Sequence, residues 1–179
     1  ARAYGGWPDR LYLIAPDGGE ARRLTTLSTG AAAIKWFADG RRIAFVSWVW
    51  PELRGDTAQK KRIDAGKADP VKAFVTERAE YRYWDHWLAD GREPHLFVVD
   101  VASGACRDAL AGTGLRLRPW EPAATEYDIA PDGSEIALTF DPHPEPGMTH
   151  RADLVVVNLR TRRWKNLTAD SGMSDEHPV

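Results

Sequence analysis

The sequence predicts an all-β fold: a partial β-propeller of four-stranded antiparallel blades, about two full blades plus flanking half-blades. Three observations predict it: one strand–turn–strand unit occurs twice, a second occurs three times, and the two alternate along the chain. The first unit reads IKWFADGRRIAF over residues 34–45 and YDIAPDGSEIAL over residues 127–138. The copies align without gaps at an offset of 93, with Asp39-Gly40 falling on Asp132-Gly133 and Ile43-Ala44 on Ile136-Ala137. Each is expected to be a hairpin in which Asp-Gly supplies the positive φ of a two-residue turn, flanked by Ile, Phe and Leu suited to a buried pleated surface.

The second unit begins at three leucines: LYLIAPDGGEARRLT from Leu11, LFVVDVASGACRDAL from Leu96 and LVVVNLRTRRWKNLT from Leu154. Successive copies are offset by 85 and 58 residues, which brings the basic residues Arg22, Arg107 and Lys165 into coincidence, and also Leu24, Ala109 and Leu167. Joining each first unit to the second unit that follows makes a four-stranded sheet. A sheet of this kind exposes an apolar face that only a neighbouring sheet can cover, so blades stack radially around a channel.

Within one domain over 1–179 the predicted divisions are an outer half-blade at 11–26, a blade at 33–112 carrying a long insertion at 51–90, a blade at 126–168, and the start of a next blade at 175–179. A second insertion, DPHPEPGMTHR at 141–151, holds three prolines and a glycine and reads as a loop. Closed propellers need about four blades, so this chain is expected to be a fragment or an assembling piece. The competing fold is an open β-sandwich, whose strands also recur at short spacing. Repetition of particular residues at fixed offsets favours blades.

Composition narrows the function classes. With 43% hydrophobic and 28% charged residues the chain has the make-up of an ordinary globular domain. A net charge of −2, with both signs interspersed, offers no concentrated positive field for a phosphate backbone. The apolar run at 43–50 is far shorter than the roughly 20 residues that cross a bilayer. The lone Cys106 cannot form an internal disulfide and is expected to be a small buried thiol. The opening residues, Ala1-Arg2-Ala3-Tyr4, form no charged-then-apolar leader, so the compartment, cytoplasm or periplasm of a bacterial-type protein, stays open.

APDG at 130–133, HLFVVD at 95–100 and the strand endings RRLT and KNLT resemble the amino-terminal propeller of the prolyl oligopeptidase family, which includes acylaminoacyl and dipeptidyl peptidases. The stretch YRYWDHWLADGREPHLFVVD at 81–100 is the most specific part, because a Trp-Asp-x-Trp run precedes this strand in bacterial members. The resemblance implies a parent serine peptidase in which the propeller gates and filters short peptides for an α/β-hydrolase domain. The implied partners are the remaining blades, that hydrolase domain and short peptide substrates. Self-pairing through exposed edges is a further expectation. No GxSxG nucleophile elbow occurs here, so no catalytic residue is assigned to this chain. The alternative is a non-enzymatic TolB-like propeller that binds protein partners.

Neither a cofactor nor a metal site is expected: the five histidines, His86, His95, His143, His150 and His177, lack metal-ligand spacing. The grouping Ser174, Asp175 and His177 invites a triad reading, but triad members come from separate elements, so an exposed loop is expected. Residues 53–72 lack alternation and predict a short exposed helix or a loop. Candidate substrate-binding residues follow in TERAEYRYWDHW: Glu77, Glu80, Arg82, Trp84 and Asp85. Some family members use propeller carboxylates to hold a substrate's terminal ammonium, and a desolvated carboxylate pair suits that cation. The competing reading has Trp84 and Trp87 packing between blades and Arg82 pairing with Asp85 to fix the loop.

Overall fold

The computed structural model describes residues 10–71, 73, 75–77, 81–83, 86–120, 122–142 and 151–179. Its strands fall into sheets as the repeats dictate. Strands β1 (Tyr12–Ala15) and β2 (Gly18–Arg23) form a half-blade. The first full blade joins β3 (Ala32–Trp36), β4 (Arg42–Val49), β7 (Glu93–Asp100) and β8 (Cys106–Asp108) in that order. Between β4 and β7 lie helix α1 (Asp56–Ala68) and a small hairpin of β5 (Arg82–Tyr83) and β6 (His86–Trp87). The second blade joins β9 (Tyr127–Ile129), β10 (Glu135–Phe140), β11 (Asp153–Asn158) and β12 (Trp164–Asn166). Of the second insertion, residues 143–150 lie outside the described residues, and 174–179 carry no strand.

Equivalent residues make equivalent bonds. Leu24, Ala109 and Leu167 each donate a backbone N–H to the leading leucine of their unit, Leu11, Leu96 and Leu154, at 2.8 Å in all three cases. In register, Leu13 faces Arg22, Val98 faces Arg107, and Val156 faces Lys165.

The Asp-Gly hairpins differ from the two-residue turn expected. Phe37 N–H bonds Arg42 O and Ala130 N–H bonds Glu135 O, both at 3.0 Å, so each loop holds four residues, 38–41 and 131–134. Only the glycines take positive φ, 65° at Gly40 and 67° at Gly133. The aspartates instead accept the N–H two residues on, Asp39 from Arg41 at 2.8 Å and Asp132 from Ser134 at 2.9 Å. A short carboxylate that satisfies its own turn is why Asp precedes Gly in both copies.

Period-two alternation gives the first blade two apolar faces. Ile43, Phe45, Phe97 and Val99 pack with Leu11 and Leu24 of the half-blade. Ala44, Val46, Leu96 and Val98 pack with Tyr127, Ile136, Leu138, Val155 and Val157 of the second blade. Three sheets are therefore stacked face to face, with the first blade buried on both sides. Burying one such aliphatic side chain contributes roughly 1.5–3 kcal/mol. Polar stitches fix the stacking. The buried Tyr127 hydroxyl donates to Ala33 O at 2.5 Å, while Lys35 Nζ donates to Tyr127 O and to Asp128 Oδ1, each at 2.7 Å.

Candidate functional site

At the β4–β7 end of the first blade, the half-blade side carries a cleft of about 730 Å³. Its apolar lining includes Leu27, Trp50, Leu53 and Leu115, and its polar lining includes Asp56, Gln59, Glu93, His95 and Asp108. Alternation along β7 places Glu93, His95, Phe97 and Val99 on one face, so the polar pair continues an apolar row beyond the cover of the half-blade.

Helix α1 borders this cleft although it has no apolar stripe: Gln59 is its one buried residue. Polar contacts anchor it. Gln59 Nε2 donates to Trp50 O at 2.9 Å and Leu53 O at 3.0 Å, and Gln59 Oε1 accepts from Trp50 N–H at 3.1 Å. Asp56, in the first helical turn, accepts from Ser28 N–H at 2.6 Å and Ser28 Oγ at 3.1 Å. A carboxylate there also complements the positive end of the helix.

His95 is buried. Its Nδ1 lies 2.8 Å from Asp108 Oδ2 on the adjacent strand and its Nε2 lies 3.9 Å from Glu93 Oε2. Burial disfavours the imidazolium, but bonds to Asp108 and Glu93 outweigh that and push the pKa up to about 9. At neutral pH His95 is a cation held between two carboxylates. His95 bonding and the Arg116 guanidinium, Nη1 3.3 Å away, hold Glu93 below the usual carboxylate range against its partial burial. The cluster's charges are mutually compensated, which suits a fixed polar wall. Cys106, expected to be buried, is half-buried, and that partial burial pushes its thiol up to about 11, so it is a neutral thiol at pH 7.

Of the residues anticipated from sequence, Glu77 and Arg82 do not line this cleft. Glu77 is exposed before β5, and Arg82 is exposed on β5, opposite Trp87 on β6. The Tyr81 and Trp87 rings lie 5.9 Å apart. Glu80, Trp84 and Asp85 lie outside the described residues. Ser174, Asp175 and His177 form no relay: Ser174 Oγ bonds Glu176, Asp175 bonds Ser171, and His177 Nε2 lies 3.6 Å from Glu126. Among the described residues, no group of His, Cys, Asp and Glu has metal-binding geometry. No helix among them is long and apolar enough to cross a membrane.

Stacked four-stranded blades, joined in sequence order, define a β-propeller segment. No family model matches the chain. It is similar to dipeptidyl-peptidase 5 of Porphyromonas endodontalis, 27% identical over 176 residues, which are 94% of this chain and 24% of that protein. It is also similar to dipeptidyl-peptidase 5 of Porphyromonas gingivalis, 22% identical over 94% of this chain and 31% of that protein. The chain thus spans 24% to 31% of the length of the curated relatives it matches. Among solved structures, acylaminoacyl peptidase of Pyrococcus horikoshii aligns over 90% of this chain and 22% of that one, with a TM-score of 0.55 and 11% identity. That likeness bears on the fold. The relatives in sequence are both dipeptidyl-peptidases, in keeping with the family resemblance read from the sequence.

Proposed function

We propose that this propeller segment serves a serine peptidase as a lid and size filter, admitting short peptides to a hydrolase domain and excluding folded proteins. The similarity to dipeptidyl-peptidase 5 over 94% of the chain carries this reading. The proposed partners are the remaining blades, an α/β-hydrolase domain and short peptides with a free amino terminus. The segment from Glu77 to Trp87 is the proposed contact with that terminus. Its carboxylates Glu77, Glu80 and Asp85 would face the ammonium, while Arg82 and Trp84 would orient the chain.

The test is kinetic. In the intact protein, Glu77→Gln or Glu80→Gln should raise KM for peptides with a free amino terminus and leave KM for amino-blocked peptides unchanged. Equal effects on both substrates would refute the contact. The filter is tested separately, by comparing hydrolysis of a short peptide with that of the same peptide embedded in a folded protein. Equal rates would refute it.

A further inference from the structure

The loop that follows the third strand has the same backbone in both full blades but opposite charge. In the first blade it joins β7 to β8 and reads DVASGA at 100–105; in the second it joins β11 to β12 and reads NLRTRR at 158–163, an offset of 58. Gly104 N–H bonds Asp100 O and Arg162 N–H bonds Asn158 O, both at 2.8 Å. Asp100 N–H bonds Ala105 O at 3.0 Å and Asn158 N–H bonds Arg163 O at 2.9 Å. The first side chain of each loop accepts the N–H three residues on, Asp100 from Ser103 at 2.8 Å and Asn158 from Thr161 at 2.9 Å. Small residues thus satisfy this turn in the first blade. Its backbone does not call for the arginines that stand in place of Ala102, Gly104 and Ala105, nor for a neutral Asn in place of Asp100.

Arg162 occupies a position that favours glycine. Gly104 has φ 72° and Arg162 has φ 58°, the left-handed region that strains a residue with a Cβ. Strain kept at one residue points to a use for its side chain. Arg162 Nη1 donates to Ala111 O of the first blade at 3.2 Å, and Arg107 crosses the same junction the other way, Nη1 donating to Leu159 O at 2.7 Å. Among the described residues neither guanidinium has a carboxylate partner, whereas Arg42, Arg116 and Arg118 each have one. Partial burial and the nearby charges of Arg42 and Arg162 hold Arg107 below the usual guanidinium range, so like charges are gathered here. Arg162 also lines the cleft, together with Gly112 and Gly114. The carboxylates of that cleft are engaged, Asp108 and Glu93 by His95 and Asp56 by Ser28.

We propose that Arg107 and Arg162 form an oxyanion site at the junction of the two blades, taking a phosphate group, either free or on a small phosphorylated ligand. Fork-shaped guanidinium donors match phosphate oxygens in pairs. A group with close to two negative charges at neutral pH relieves the repulsion between the two cations. Arg160 and Arg163, exposed on the same loop, add to the local field. The net charge of −2 disfavours a polyanion, but a single phosphate needs only this local excess. The site is separate from the proposed peptide contact at 77–87 and does not depend on it.

Isothermal titration calorimetry on the intact protein tests it, with inorganic phosphate and phenyl phosphate as probes in chloride buffer of constant ionic strength. Both should bind. Arg162→Gly and Arg107→Gln should each weaken binding by about tenfold or more, while Lys61→Gln, at an exposed cation on helix α1, leaves it unchanged. Tighter binding of phenyl phosphate assigns the site to a phosphorylated ligand, and tighter binding of phosphate assigns it to the free ion. Heat from neither probe, or equal affinity in the unmodified protein and both variants, overturns the proposal. Glycine is native to this turn in the first blade, so Arg162→Gly keeps the loop and its Tm should not fall. A fall in Tm with phosphate binding intact makes Arg162 a structural pin and overturns the proposal. A hexaglutamate peptide that binds more tightly than phosphate and is lost in Arg162→Gly assigns the surface to an acidic protein segment and overturns the phosphate assignment.

Discussion

The two full blades share a sequence pattern, strand order and turn, yet among the described residues one is covered by a sheet on both faces and the other on one. Leu96 in the first blade and Leu154 in the second are the same repeat residue and accept the same 2.8 Å bond, from Ala109 and Leu167 respectively. Leu96 is fully buried and Leu154 half-buried, because among the described residues only the first has a sheet beyond it. The difference teaches that burial here is a property of the stack: one strand sequence yields a core residue or a surface residue according to what lies against it.

Truncating these leucines breaks the comparison most forcefully. Leu96→Ala should cost about 2–5 kcal/mol in denaturant unfolding, the range for a large-to-small change in a packed core. Leu154→Ala should cost markedly less in a protein whose second blade is open, and as much as Leu96→Ala where a further blade covers it. A Leu96→Ala cost below about 1 kcal/mol would refute the doubly covered blade.

Titration distinguishes the blades next, since the first carries His95 between Asp108 and Glu93, whereas the equivalent of His95 in the second is the buried Asp153. The folded pKa of about 9 lies above the ordinary 6.5. The imidazolium therefore stabilises the fold fully below pH 6.5, and that contribution is lost as pH rises through about 9. The gap corresponds to about 3 kcal/mol. Unfolding midpoints from pH 6 to 10 should fall over this window, and Asp108→Asn should flatten the fall. A profile that rises with pH through the window would contradict the assignment.

The smallest effect separates the two hairpin loops. Alanine at either glycine must adopt positive φ, costing about 1–2 kcal/mol. A Cβ at Gly40 meets nothing within 4 Å, but at Gly133 it would meet Arg42 Nη2 at 2.3 Å and Phe37 Cδ1 at 3.1 Å. Arg42 stacks on Phe37 and donates to Gly133 O at 3.0 Å, so moving it costs a further contact between blades. Gly133→Ala should lower Tm more than Gly40→Ala, and equal shifts would remove this inter-blade role.

Much of the architecture was legible because repetition appears in sequence and structure at the same positions. The leading leucines and the Asp-Gly loops each mark a bond made again in the next sheet, and the basic residues at 22 and 107 each bond a carbonyl of the sheet that follows. Loop length was not legible: Asp-Gly suits a two-residue turn, and the four-residue form emerges only when Asp39 accepts the N–H of Arg41. The cleft was also hidden. His95 and Asp108 are 13 residues apart and meet only through strand pairing. Gln59 sits in a charged stretch without periodicity, and its role depends on reaching the backbone of Trp50 and Leu53. One signal was available, the alternation of Glu93 and His95 with the apolar row of β7, which marks two polar side chains on a core face.

Sheet-on-sheet stacking is tested most directly at Tyr127, whose hydroxyl lies 3.2 Å from Ala44 O across 83 residues of sequence. Nuclear Overhauser contacts from the Tyr127 ring to the Ala44 and Val46 methyls should be strong if the blades pack face to face. A Tyr127 ring with contacts confined to its own hairpin would contradict the stack.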